Sequence, residues 1–138
     1  MLTFLVIDDD PNMTALIQTI LERGFGDIEI IIAFDGEVGL DIALEYKPDL
    51  IICDVVMPFM NGHDLLKHLH QIPEMRSIPF LLQAPMSEEC VAWLQYEFGL
   101  DIEKHFIQCP ATIRDWLAKV RLLLEESRHK KLHTYRRR

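Results

Sequence analysis

Short apolar runs alternate with amphipathic stretches along nearly the whole chain, and this limits the fold more than any other feature. Residues 4–7, 28–34 and 50–53 are rich in Ile, Val and Leu, and each is followed by an acidic or Gly-containing stretch. Such runs read as strands buried on both faces. Between the first two, Met13, Leu16, Ile17, Ile20 and Leu21 recur at helical spacing, with Asp10 placed to cap and Pro11 at the first helical position. That helix is expected to end near Gly24. A weaker helical pattern over residues 36–46 stops at Pro48, and Leu65, Leu66 and Leu69 mark a third helix ending before Pro73. Residues 78–82 read as a fourth strand and residues 104–107 as a fifth. A helix over residues 87–98 is expected between them, capped by Ser87 with Glu88 and Glu89 in its first turn. A final helix carries Ile113, Trp116, Leu117, Val120 and Leu124 on one face.

Five strand-helix alternations predict a parallel sheet, because parallel neighbours need crossovers and each crossover covers a sheet face. The expected fold is α/β, a flavodoxin-like doubly wound (βα)5 three-layer sandwich with strand order 2-1-3-4-5. The chain has 138 residues, 49% apolar and 26% charged, which suits one folded core and excludes a disordered or collagen-like polymer. All 22 acidic residues precede Ser127, whereas six of the 14 basic ones follow it. The body is therefore strongly acidic and suits cations or basic partners, and a nucleic-acid footprint is confined to the tail. Residues 1–126 are expected to form the domain, and residues 127–138 a basic C-terminal tail or truncated linker. The tail holds no folded DNA reader, so sequence-specific DNA binding by this chain is not expected. Cys53, Cys90 and Cys109 are odd in number and widely spaced, which favours a reducing, cytoplasmic setting. No uncharged apolar run reaches membrane-spanning length. His68 and His70, two apart on a predicted helix, point in different directions and read as surface residues rather than a metal pair.

In a doubly wound sheet, ligands bind beyond the C-terminal strand ends where the strand order reverses, here between the first and third strands. Both end in carboxylates: Asp8, Asp9 and Asp10 follow the first strand, and Asp54 follows the third. Like charges at close range destabilise one another unless a cation intervenes, and carboxylate oxygens with water match magnesium's octahedral preference. The bland alternative makes Asp10 only a helix cap and Asp54 only the polar end of a strand.

The motifs Leu5-Val6-Ile7-Asp8-Asp9-Asp10 and Asp54-Val55-Val56-Met57-Pro58-Phe59-Met60-Asn61-Gly62 resemble those of the receiver domains of two-component response regulators, over residues 2–125. The resemblance implies that Asp54 accepts a phosphoryl group from a sensor histidine kinase or phosphotransfer protein. It also implies that Mg2+ (or Mn2+) is held by Asp9, Asp54 and the Val56 backbone carbonyl, with Asp8 acting mainly through a metal-bound water. Such a module signals to a downstream protein and is not a turnover enzyme. The resemblance favours the fourth helix, fifth strand and last helix as its output face, offered to a downstream protein or to a second copy of the chain.

Three positions depart from the family pattern. Where the fourth strand usually ends in Ser or Thr before a small residue, this chain has Gln83-Ala84. The usual Lys-Pro after the fifth strand is Cys109-Pro110, and Phe106 stands where the family often has a switching aromatic. Losing the lysine removes a fixed positive charge that a thiol does not replace. Gln83 either substitutes for the hydroxyl through its amide or fills the phosphoryl position. A phosphorylation-independent (pseudo-)receiver acting as a protein-protein interaction module is the competing expectation. As the resemblance suggests, a cis peptide is expected before Pro110.

Overall fold

The computed structural model describes residues 1–85, 92, 95–96 and 102–136. Strands β1 (Leu2–Ile7), β2 (Ile28–Ala33), β3 (Leu50–Asp54), β4 (Phe80–Pro85) and β5 (Phe106–Cys109) form one sheet in the order β2-β1-β3-β4-β5. All four neighbouring pairs are parallel. The order reverses between β1 and β3, as expected.

Helices α1 (Pro11–Gly24), α2 (Gly36–Tyr46), α3 (Gly62–His70), the short α4 (Ile102–His105) and α5 (Ile113–Arg136) supply the connections and outer layers. Alternate side chains of each strand enter opposite cores, which is why the strands read as continuous apolar runs. Phe4, Val6, Leu50, Ile52, Leu81 and Ile107 pack with α1 and α5 through Ile17, Leu21, Trp116, Val120 and Leu123. Leu5, Ile7, Ile51, Cys53, Leu82 and Phe106 pack on the other face with Ala43, Leu65, Leu66 and Leu69. Cys53 and Cys109 are free thiols.

Local signals set the helix ends. The Asp10 carboxylate accepts from the Asn12 N–H at 2.9 Å, with Pro11 in the first turn. Asp35 accepts from the Val38 N–H at 2.8 Å to open α2, and Lys47 closes it in a left-handed conformation just before Pro48. Asn61 accepts from the Asp64 N–H at 2.9 Å at the start of α3.

Two strands are displaced toward the C-terminus relative to the sequence reading. The fourth strand lies at Phe80–Pro85 rather than residues 78–82: Ile78 bonds back to Met75 in a turn, and Pro79 has no N–H to give the ladder. Pairing with both β3 and β5 then carries the strand past Leu82 through the less apolar Gln83-Ala84-Pro85. The fifth strand begins two residues late because residues 102–105 form a helical turn, held where His105 Nδ1 lies 3.1 Å from the Phe80 carbonyl. In the last helix Leu123 is buried with Trp116 and Val120, while Ile113 is half exposed. Of the helix expected over residues 87–98, Ala92, Gln95 and Tyr96 are helical and exposed, and the rest, with Trp93, Leu94 and Phe98, lies outside the described residues. The basic tail continues α5 without a break at residue 127.

Candidate functional site: an acidic crevice at the switch point

The first and third strands end side by side, pairing Ile7 with Cys53, so the residues that follow them meet at one edge. Asp8 is only 2% exposed, Asp54 is half-buried and Asp9 is exposed. One oxygen from each of these three carboxylates lies within 4.8 Å of the others, the metal-compatible cluster found among the described residues. With Asp10, Gln83 and Cys109 they line an open crevice of about 390 Å³, rimmed by Met13 and Pro110.

Two of these carboxylates are held by main chain. Asp8 Oδ1 accepts from the Asp10 N–H at 2.9 Å, and Asp54 Oδ1 accepts from the Val56 N–H at 3.1 Å. The Val56 backbone thus lies against Asp54, while its side chain is 66% exposed and takes no part in the core. Gly62 lets the loop after β3 close over the strand end: its N–H donates to the Val55 carbonyl at 3.1 Å, and a Cβ there would sit 2.5 Å from the Asp54 carbonyl oxygen. Phe59, in the same loop, has a positive φ of 68° and a fully exposed ring.

Burial pushes the Asp8 carboxyl up from 3.8 to about 6, opposed by the Asp10 N–H and reinforced by the charges of Asp54, Asp9 and Asp10. Asp54 is raised too, by burial and by Asp9, against the Val56 N–H that lowers it. Concentrated negative charge with hard oxygen donors fits a divalent cation of the magnesium type.

Gln83 and Cys109 also meet here, and they are joined. Gln83, 4% exposed and in register with Asp54, donates from Nε2 to Asp8 Oδ2 at 2.5 Å. The Cys109 thiol donates to Gln83 Oε1 at 3.1 Å. Burial and the charges of Asp54 and Asp8 push that thiol up, keeping it protonated and able to donate. The sequence identified both residues as departures, but nothing in their spacing showed that they bond to each other. Phe106 is 5% exposed, opposite Leu82 in the sheet, and packs as a core aromatic. The Cys109–Pro110 peptide is cis, as expected.

The model of the response regulator receiver domain matches residues 4–108, about three quarters of the chain. The chain belongs to the response regulator receiver domain family. Among curated relatives of this receiver, the transcriptional regulatory protein CpxR of Escherichia coli (strain K12) is 35% identical over 124 residues, which cover 89% of this chain and 49% of CpxR. The alkaline phosphatase synthesis transcriptional regulatory protein PhoP of Bacillus subtilis (strain 168) is 36% identical over 123 residues, 89% of this chain and 48% of PhoP. The receiver thus spans about half the length of the curated relatives it matches. Among solved structures, the signal receiver domain of a signal transduction histidine kinase from Syntrophus aciditrophicus is 28% identical, covers 91% of this chain and 92% of its own, and superposes with a TM-score of 0.78. A CheY-like receiver domain protein from Methanospirillum hungatei JF-1, 23% identical with a TM-score of 0.80, covers 94% of this chain and 98% of its own and shares the fold. No helix among the described residues is long and apolar enough to cross a membrane.

Proposed function

We propose that this receiver works in a phosphorelay as a cytoplasmic signalling module, taking a phosphoryl group on Asp54 from a histidine kinase or phosphotransfer protein. A carboxylate oxygen of Asp54 attacks the phosphorus of a phosphohistidine, the P–N bond breaks, and its electron pair stays on the imidazole nitrogen. Asp9, Asp54 and the Val56 carbonyl would hold Mg2+ or Mn2+, with Asp8 acting through water. The cation supplies charge neutralisation at the phosphoryl oxygens. The observation that carries this reading is the convergence of Asp8, Asp9 and Asp54 within 4.8 Å at the switch point of a receiver fold. The modified state would be read by a downstream protein or a second copy of the chain, and the module would act through binding rather than turnover.

The test is intact mass after incubation with Mg2+ and acetyl phosphate or a phosphoramidate, comparing wild type with Asp54→Asn. A phosphoryl adduct on wild type alone is expected. An adduct on both proteins, or on neither even with a cognate kinase, rejects the assignment. One observation favours a second reading, a phosphorylation-independent interaction module: the Gln83 side chain already spans the crevice between Asp8 and Cys109. Partner binding unchanged by Asp54→Asn would support it.

A further inference from the structure

Gln83 sits on β4, yet its amide reaches Asp8 beyond β1, two strands away, across the end of β3 that carries Asp54. Its other end is tied to Cys109 at the end of β5. Three strand ends are thereby joined over a fourth. The chemistry fixes the amide's orientation: an ionised carboxylate only accepts, so Nε2 must face Asp8, which leaves Oε1 for the thiol donor.

We propose that Gln83, anchored by Cys109, is a built-in competitor for the acidic crevice: its amide satisfies Asp8 in place of a cation or its bound water and so sets a weak metal affinity. The inference rests on the metal-binding reading above. A hydrogen bond to an ionised acceptor is among the stronger kinds, and one spent on Asp8 must be given up or shared when a cation enters. The amide also turns the positive end of its dipole toward Asp8, a member of the carboxylate cluster that would take the cation. Cys109 matters because it restrains the far end of a flexible side chain, so that less freedom is lost when Nε2 engages Asp8. Two of the three departures from the family pattern thus form one device.

The test is calorimetric titration of the full chain with Mn2+, counting only the binding that Asp9→Asn abolishes. Gln83→Ala is expected to tighten that binding roughly tenfold, the change corresponding to one hydrogen bond to a charged group. Gln83→Met keeps the length and volume without the amide, and should tighten it similarly if the alanine variant fails to fold. Cys109→Ala should give a smaller gain in the same direction, and Cys109→Ser, which keeps a donor, should match wild type. Binding equal to or weaker than wild type in both Gln83 variants overturns the competitor while leaving the receiver reading standing. Absence of Asp9-dependent binding in every protein overturns both.

Discussion

Asp8 shows how one buried side chain can make this protein's stability depend on pH in an unusual direction. Its carboxyl ionises near pH 6 in the fold against an ordinary 3.8, chiefly because burial disfavours the charge. The native state therefore keeps a proton that the unfolded chain has lost between about pH 4 and pH 6. Stability from this group is fully present below the unfolded value and is lost as pH rises through 6. In EDTA, the stability of wild type relative to Asp8→Asn is expected to fall by about 2 to 3 kcal/mol between pH 4 and pH 7. Urea unfolding at several pH values checks this, and a difference that stays constant or grows would refute it. The sequence placed Asp8 and Asp54 in one crevice because each follows a predicted strand. Phe106, which stands where the family often has a switching aromatic, is buried in the fold.

Among the elements, α5 is the one whose end the sequence left open and the structure carries to Arg136. Its inner face ends in Leu123 and Leu124, and residues 128–131 are exposed, yet the helix runs to Arg136. An extension that opens with four exposed residues contributes helix content rather than core energy. Deleting residues 128–138 is expected to lower the far-UV helical signal while changing unfolding free energy by less than about 1 kcal/mol. Circular dichroism and urea titration of the shortened chain measure both, and a larger loss would mean that the tail packs against the body. The strands teach a different lesson. Apolar runs located all five, but β4 and β5 shifted because Pro79 delays one and the helical turn at 102–105 delays the other. Pairing partners, which no local window contains, then set the ends.

Across the whole molecule, two cores share one sheet, since consecutive residues such as Phe4 and Leu5 or Ile51 and Ile52 feed opposite faces. Neither face can lose its packing without exposing strands that the other needs. Unfolding is expected to be a single transition, with coincident urea curves by tryptophan fluorescence, which includes the buried Trp116, and by far-UV circular dichroism. Separated midpoints would show that the two layers melt independently. By itself the sequence determined the alternation of strands and helices, the capping residue Asp10, and the two acidic strand ends. These are local patterns whose meaning depends on spacing along the chain. Only the tertiary structure decided that Gln83 reaches past Asp54 to Asp8, and that Cys109 holds its other end. Residues 75 and 26 positions apart in sequence become neighbours through strand order and register, and a side chain's reach across a sheet has no signature in the residues beside it.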